Sequence, residues 1–355
     1  MPQKILVFTG GGTAGHVIPN LALVPALREK GWVLHYLGSA NGPEKALVEE
    51  AGLAFHSIAT GKFRRYFSVK NFTDPFRVLW GVCQAYGHLR TLRPQVVFSK
   101  GGFVGVPVVY AATLLRVPVI LHESDLTPGL ANKLCLPWAR RICASFPETL
   151  PHLPKDKAVL TGTPIREELI QGDGESGLRF LGFKKEKPVL LMMGGSMGAA
   201  ALNQIIRSSL GILLERWQVV HLCGSGKNDP AFEGKAGYRQ FEFLGKELPG
   251  VFACANLVVS RAGANSLFEL LALRKPMLLI PLPTTGSRGD QILNAESFLR
   301  RGLAHVLRQE DLTPQSLLKN LEELSRDAEN LKRKMEASDL AQGTDRVVEV
   351  IETFG

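Results

Sequence analysis

Two glycine-rich segments of this sequence have the composition of phosphate-binding loops. The first, Gly10–His16 (GGGTAGH), follows an apolar run and precedes a helical pattern. The second, Gly194–Ala200 (GGSMGAA), follows the apolar run 187–193 in the same way. Glycine lets backbone N–H groups approach an anion, and the helix that follows adds a partial positive charge. Two such junctions, half a chain apart, predict two similar α/β halves that bind phosphorylated ligands together.

The two loops carry different side chains that could act on a bound ligand. His16, directly after the glycines, could accept a proton near neutral pH or cap the following helix, and its spacing leaves both roles open. Ser196 could donate its hydroxyl to a phosphate oxygen, or it too could cap a helix. A nicotinamide cofactor is disfavoured, because the second predicted strand runs into 37–40 (LGSA) without the Asp or Glu that would bind a ribose.

Three further polar clusters follow apolar runs. Glu269 lies in the first turns of a predicted helix, where it could bind the diol of a ribose or complement the helix dipole. Gln291 and Asn294 lie one helical turn apart and share a face that suits sugar hydroxyls. In His122–Asp125 (HESD), loop polarity explains polar residues but not the choice of a histidine and two carboxylates. A metal site there is disfavoured, because the chain has no Asp-x-Asp pair of the kind that holds a divalent ion beside a diphosphate.

Short β-branched runs alternate with helical patterns, which predicts an α/β fold of two Rossmann-like domains with parallel sheets facing a central cleft. The predicted strands are Ile5–Phe8, Val33–Leu37, Ala54–Ile58, Val96–Ser99, Val117–Leu121, Arg141–Ala144, Val189–Met193, Gln218–Cys223, Phe241–Phe243, Leu257–Ser260, Met277–Ile280 and Ala304–Val306. We expect an N-terminal domain at 1–163, a C-terminal domain at 164–340, and a last helix at 341–355 that packs back on the first domain. A ligand is then expected in the cleft, at the carboxyl ends of the strands.

The bulk composition is that of a folded protein with an anionic partner. Apolar residues make up 45% and charged residues 21% of the 355 residues, and the formal net charge is +9. Nucleic acid is the less favoured partner, because the densest basic run, 332–334 (KRK), lies in a charged amphipathic segment. The five cysteines form no C-x-x-C pair, so a reducing compartment fits better than a disulfide framework or a zinc site. No signal peptide or membrane span is predicted, so membrane contact would come from one side.

One segment combines aromatic and basic residues in a way that suits a membrane surface. Its aromatics could instead belong to the core or stack on single-stranded nucleic acid, but the basic excess of the chain favours an anionic membrane. The residues concerned are Phe63, Arg64, Arg65, Tyr66, Phe67, Lys70, Phe72, Phe76 and Trp80.

Taken together, these motifs resemble family 28 of the GT-B glycosyltransferases over nearly the whole chain. The resemblance lies in 11–16, 100–103 (KGGF), 122–125, 162–166 (GTPIR), 194–199, and 290–291 with 294–295. It implies an inverting transfer of N-acetylglucosamine from UDP-N-acetylglucosamine to the 4-hydroxyl of the N-acetylmuramic acid of undecaprenyl-diphosphate-linked muramyl pentapeptide (lipid I), which forms lipid II. It also implies a role in peptidoglycan synthesis, cell-wall biogenesis, cell shape and division, as a peripheral protein on the cytoplasmic face of the bacterial membrane. No cofactor or metal is expected, and other cell-wall synthesis proteins stay open as partners.

The resemblance also implies roles for individual residues. The uridine would contact Arg166 and the backbone near Leu244, and the N-acetylglucosamine would contact Gln291 and Asn294. The donor diphosphate would be bound by Ser196 and the amides of Gly263, Ala264 and Asn265, and the ribose by Glu269. The acceptor diphosphate would lie at Thr13, Ala14 and Gly15. This chain departs from the family in two places: the family often has glycine where Ala14 stands, and some members have asparagine where Asp125 stands.

Such a transfer needs a base for the attacking hydroxyl and positive potential for the departing UDP. We expect His16 to be the base, with Asp125 as the second candidate and Glu123 as the third. The alternatives are another GT-B enzyme, namely a diacylglycerol glycosyltransferase or a UDP-N-acetylglucosamine epimerase, and a non-catalytic nucleotide-sugar-binding protein.

Overall fold

The computed structural model describes residues 3–61, 70–195, 199–286 and 289–355, with the backbone alone for 70–75 and 286. The chain divides into two compact units. Unit 1 comprises Met1–Arg166 and Gln342–Gly355, and unit 2 comprises Glu167–Ala341. Each unit contains one parallel sheet with helices between its strands, so the predicted pair of Rossmann-like folds is confirmed.

Unit 1 is built on a parallel sheet whose strands are β1 (Lys4–Thr9), β2 (Trp32–Ser39), β3 (Ala54–Ile58), β4 (Val96–Ser99), β5 (Val119–Glu123), β6 (Arg141–Ala144) and β7 (Ala158–Leu160). Their order in the sheet is β3-β2-β1-β4-β5-β6-β7. The helices between them are α1 (Ile18–Ala22), α2 (Val24–Glu29), α3 (Pro43–Glu50), α4 (Lys70–Leu92), α5 (Gly105–Leu114) and α6 (Leu130–Cys135).

Both faces of this sheet are apolar because helices cover both. On β1, Leu6 and Phe8 face one buried cluster and Val7 faces the other, and all three are fully buried. Strands buried on both faces appear in a sequence as continuous apolar runs, as this one does.

Unit 2 repeats the plan with β8 (Val189–Met193), β9 (Gln218–Leu222), β10 (Tyr238–Phe241), β11 (Leu257–Ser260), β12 (Met277–Leu279) and β13 (His305–Val306). The order is β10-β9-β8-β11-β12-β13. Its helices are α7 (Glu167–Ile170), α8 (Gly174–Leu181), α9 (Ala200–Arg216), α10 (Leu248–Cys254), α11 (Ala264–Ala272), α12 (Asp290–Arg300) and α13 (Pro314–Glu336).

The last helix, α14 (Gly343–Glu352), belongs to unit 1 although it follows unit 2 in the chain. Its apolar residues Val347, Val348 and Ile351 lie in the same core cluster as Leu6 and Phe8. The hydroxyl of Thr344 donates to the Ile165 carbonyl at 3.1 Å, which ties the start of this helix to the end of the first segment.

The strand order reverses direction beside the first strand of each sheet, between β1 and β4 in unit 1 and between β8 and β11 in unit 2. Loops at the carboxyl ends of such neighbouring strands diverge and leave a crevice in which ligands bind. The two glycine-rich loops follow β1 and β8, so each lies at the position where its sheet can bind a ligand.

Candidate active site

The first glycine-rich loop packs against its neighbours in a way that only glycine permits. Gly10 and Gly12 have positive φ angles of 146° and 84°. A Cβ atom on Gly10 would lie 2.7 Å from the His16 carbonyl oxygen, and one on Gly12 would lie 2.5 Å from the Phe103 ring. The loop therefore lies close to the segment after β4, with its N–H groups at the carboxyl end of β1.

His16 is the last residue of a short 3-10 helix, Ala14–His16, which follows the glycines of this loop. The Thr13 hydroxyl oxygen and His16 Nδ1 are 2.9 Å apart. When Nδ1 carries the proton and donates to that hydroxyl, the ring lone pair is on Nε2, which is the form a general base needs. His16, Ala14 and Gly15 are half-buried and Thr13 is exposed, so a ligand can reach them.

A buried carboxylate that the sequence analysis did not single out organises the same loop. Glu44 of α3 is fully buried. Its carboxylate accepts hydrogen bonds from the Gly12 N–H at 3.2 Å, the Ser39 N–H at 3.0 Å and the Ser39 hydroxyl. A Cβ atom on Gly11 would lie 2.6 Å from the Glu44 carboxyl carbon, so a larger residue there would displace this carboxylate.

A cavity of about 610 Å³ opens beside this loop within unit 1. It is lined by Gly12, Phe103 and Arg77 and by residues 39–43 and 58–60. This volume is within the range of pockets that hold a small-molecule ligand.

The segment after β4 packs against the first glycine-rich loop. Gly101 and Gly102 have positive φ angles of 89° and 76°. A Cβ atom on Gly102 would lie 2.5 Å from the Gly11 carbonyl oxygen and 3.4 Å from the His16 ring. Lys100, which precedes these glycines, is only 2% exposed, and burial lowers its pKa to about 8.

The cluster at the end of β5 contains one buried carboxylate, Glu123, and one half-buried carboxylate, Asp125. Glu123 is buried and accepts hydrogen bonds from the N–H groups of Asp125 (3.1 Å) and Gly129 (3.0 Å) and from the side-chain amide of Asn132 (2.8 Å). Burial raises the pKa of Glu123. These bonds fold the turn after β5, and the role of Glu123 as the third candidate base stays a prediction. Asp125 is half-buried and stays a candidate.

His122 in the same cluster is a structural residue. It is fully buried, and its Nε2 lies 3.0 Å from the Gly162 carbonyl oxygen. Burial and the charge of Lys100 lower the His122 pKa well below its usual value, so the ring is neutral and donates from Nε2. Within the ranges that the structure describes, no three His, Cys, Asp or Glu side chains lie close enough to hold a metal ion.

In unit 2 the carboxyl ends of β8 and β11 lie next to each other, because these strands are paired neighbours, and a loop follows each of them. Ser196 of the first loop lies outside the described residues. Gly263 ends the second loop as the N-cap of α11, and a Cβ atom there would meet no described atom within 4 Å. The N-terminus of α11 is therefore open to a ligand, with Asn265 and Glu269 half-buried on the helix that follows.

Gln291 and Asn294, which were predicted to share a face of α12, differ in burial. Asn294 is fully buried, and its side-chain amide donates to the Ala262 carbonyl at 3.2 Å. The contact of Asn294 with a sugar stays a prediction. Gln291 is half-buried and accepts from the Leu282 N–H at 3.0 Å through its Oε1 atom, so its Nε2 group can donate to a ligand.

Arg261, like Glu44, holds loops of the candidate site in place, and the sequence analysis did not identify it. It is buried, and its Nη1 atom donates to the carbonyls of Ile280 (2.9 Å) and Pro281 (3.2 Å), while Nη2 donates to Gln309 Oε1 at 2.6 Å. Because Ile280 and Pro281 follow β12, this side chain fixes the loop after β11 to the loop after β12.

The remaining predicted residues are spread over the chain. Arg166 is the last residue of the first segment of unit 1, and Leu244 is half-buried in unit 2. Phe76 and Trp80 of α4 are exposed. Phe63, Arg64, Arg65, Tyr66 and Phe67 lie outside the described residues, as do the side chains of Lys70 and Phe72. None of the described helices is both long and apolar enough to cross a membrane.

Comparison with known proteins places both units in one family. The glycosyltransferase family 28 N-terminal domain matches residues 6–144, and the family 28 C-terminal domain matches residues 189–351.

Two curated bacterial relatives are named UDP-N-acetylglucosamine--N-acetylmuramyl-(pentapeptide) pyrophosphoryl-undecaprenol N-acetylglucosamine transferase. That of Bacillus cereus, number 2 of that name, is 54% identical over 93% of this chain and 94% of its own length. That of Lachnoclostridium phytofermentans is 53% identical over 99% of both chains. The crystal structure of Acinetobacter baumannii MurG is similar with a TM-score of 0.76 and 26% identity over 99% of both chains. The chain therefore belongs to glycosyltransferase family 28.

Proposed function

We propose that this chain transfers N-acetylglucosamine from UDP-N-acetylglucosamine to the 4-hydroxyl of the muramyl sugar of lipid I, with inversion, and so forms lipid II. The observation that carries the proposal is the identity of more than half over 93–99% of the chain with transferases named for this donor sugar and acceptor. The fold supports it, because each unit has a glycine-rich loop at the switch point of its sheet.

Unit 2 is proposed as the donor side. The open N-terminus of α11 supports binding of the donor diphosphate by the amides of Gly263–Asn265, together with Ser196. Glu269, half-buried one turn into the helix, is proposed to accept from the ribose hydroxyls. Gln291 is proposed to donate from Nε2 to the sugar. Arg166 and the backbone near Leu244 are proposed to contact the uridine.

Unit 1 is proposed as the acceptor side, with the acceptor diphosphate at Thr13, Ala14 and Gly15. His16 takes the proton of the attacking 4-hydroxyl through Nε2, while its Nδ1 proton is held by the Thr13 hydroxyl. The C–O bond to UDP breaks as the new glycosidic bond forms, and UDP leaves with the bonding electron pair. Amides at a helix N-terminus stabilise that negative charge. Asp125 is the second candidate base.

Helix α4 is proposed to bind the protein to the cytoplasmic face of the membrane. Phe76, Leu79 and Trp80 lie at i, i+3 and i+4 on this helix and are 76%, 63% and 61% exposed. Arg77 beside them is also exposed. An apolar stripe with adjacent positive charge favours an anionic lipid surface.

The test of the proposed function uses radiolabelled UDP-N-acetylglucosamine with lipid I, with a diacylglycerol, or with no acceptor. The proposal predicts that label enters lipid, and UDP is released, only with lipid I. Transfer to the diacylglycerol, isomerisation of the free sugar nucleotide, or binding of donor without release of UDP would each contradict it.

A further inference from the structure

Lys100 is a buried cation directly beneath the first glycine-rich loop. It follows β4, one of the two strands at the switch point of unit 1. Its backbone N–H donates to the Thr9 carbonyl at 3.0 Å, and a Cβ atom on Gly10 would lie 3.2 Å from its own Cβ. Only 2% of the residue is exposed. A buried ammonium is unfavourable unless an anion compensates it, so this position calls for a counter-charge.

The described part of the chain supplies no direct counter-ion, since no carboxylate oxygen in it lies within 4.0 Å of the Lys100 ammonium. The charges of Glu123 and Asp125 favour the ammonium form, but burial outweighs them. The Glu123 carboxylate already accepts hydrogen bonds from the backbone N–H groups of Asp125 and Gly129 and from the Asn132 side-chain amide.

A second buried polar group lies close to this ammonium. The Nδ1 atom of His122 has no hydrogen-bond partner among the described residues, and the ring is fully buried. The charge of Lys100 lowers the His122 pKa, so the two side chains are near enough to interact. A neutral imidazole cannot compensate an ammonium charge, and the positive potential of Lys100 is therefore available to a ligand.

We propose that Lys100 binds the diphosphate of the acceptor, as the positive charge behind the amides of Gly10–Gly15. The inference rests on the function proposed above, in which the acceptor is a diphosphate-linked lipid. A diphosphate diester carries two negative charges, and a charge-assisted contact to a phosphate oxygen is stronger than one from a neutral amide. The diphosphate of lipid I does not react, so the interaction is the same in the ground state and the transition state. Lys100 should therefore affect the KM of the acceptor and not kcat.

The first test compares Lys100→Met with Lys100→Arg and with the control Lys45→Met, an exposed lysine on α3. Lipid I KM is measured by transfer, and geranyl diphosphate and UDP affinities by calorimetry. For Lys100→Met we expect about a 10–100-fold increase in lipid I KM and in the Kd of geranyl diphosphate, with UDP affinity unchanged. Lys100→Arg should recover part of the loss, and Lys45→Met should match the wild type. A folded Lys100→Met protein with lipid I KM within twofold of wild type, or with an equal loss of UDP affinity, would overturn the inference.

A second test uses the wild-type protein and so does not depend on folding of a variant. Burial lowers the pKa of Lys100 to about 8, so the affinity for geranyl diphosphate should be near its maximum at pH 7 and about half of that at pH 8. It should then fall by up to tenfold per pH unit as the ammonium is lost. The groups that face Lys100 are His122, Glu123, Asp125 and Cys143, and the loop that ends at His16 packs above it. Burial raises the pKa of Cys143 to about 12, and His122 is neutral throughout.

An affinity that stays constant up to pH 9.5 would contradict the inference. Transfer by the wild type separates the two proposals. If the wild type transfers sugar to lipid I but neither test shows an effect of Lys100 on diphosphate binding, only this inference fails. If the wild type does not transfer sugar to lipid I, the proposed function itself fails.

Discussion

Replacement of Glu44 by alanine should destabilise the conformation of the first glycine-rich loop without affecting unit 2. The change removes the acceptor of the Gly12 N–H, the Ser39 N–H and the Ser39 hydroxyl; Glu44 is fully buried, whereas Gly12 and Ser39 are half-buried. A buried donor left without a partner costs about 1–3 kcal/mol, and the Ser39 hydroxyl can rotate to another acceptor. Because both backbone donors are half-buried and border the cavity, water can satisfy them in part, and the expected loss in the free energy of unfolding of unit 1 is about 1–3 kcal/mol.

The assay for this prediction combines urea unfolding with hydrogen exchange of the backbone amides. Exchange should become faster at 9–16 and 37–44 and stay unchanged at 257–280 in unit 2. The acceptor KM should rise while UDP affinity stays at its wild-type value. Glu50→Ala is the matched control, because Glu50 is exposed on the same helix, and its loss should be less than about 0.5 kcal/mol. If Glu44→Ala costs no more than Glu50→Ala, Glu44 does not organise the loop and the reasoning is wrong.

Three further predictions concern the base, the acid stability of unit 2 and the membrane surface. His16→Ala should lower kcat about 10²–10⁴-fold with UDP affinity unchanged, and unchanged kcat in stopped-assay kinetics would exclude it as the base. Burial lowers the pKa of His221 to about 3, so the stability it gives is complete above about pH 6.5 and is lost as the pH falls towards 3. Urea titrations between pH 6 and 4 should show that the free energy of unfolding decreases by up to about 1.4 kcal/mol per pH unit. The decrease per pH unit should be smaller in His221→Leu, and an equal decrease in both proteins would contradict this. A Phe76→Ser, Trp80→Ser double variant should lose sedimentation with anionic phosphatidylglycerol vesicles but keep UDP affinity, and retained sedimentation would exclude α4 as the membrane surface.

The sequence predicted most strands, but it missed β7 (Ala158–Leu160), whose apolar run of three residues is too short to stand out. The predicted bounds of β3, β4, β6, β8 and β11 are those observed. The β5 prediction was displaced by two residues, because Pro118 cannot donate to the ladder and the strand continues through the buried polar residues His122 and Glu123. The β10 prediction was displaced towards the C-terminus, because Arg239 and Gln240 interrupt the apolar pattern of the strand.

Features of the candidate site that depend on residues close together in the sequence could be predicted. Contacts between residues distant in the sequence could not. A run of glycines before a helix indicates a loop in the sequence itself. The role of Glu44 could not be predicted, because its partner Gly12 lies 32 residues away and supplies only a backbone N–H. Asn294 was placed on the correct helix, but helical spacing does not tell which of two polar residues faces the interior. Burial in the folded unit decides this, and it separates Asn294 from Gln291.

The linkage in the reaction product tests the central claim most directly. The protein is incubated with lipid I and UDP-N-acetylglucosamine, whose sugar is α-linked, and the purified lipid product is examined by proton NMR and mass spectrometry. The account predicts one added N-acetylglucosamine in β-linkage on the 4-oxygen of the muramyl sugar. An α-linkage, attachment at another oxygen, or free N-acetylglucosamine with an unchanged lipid would contradict it.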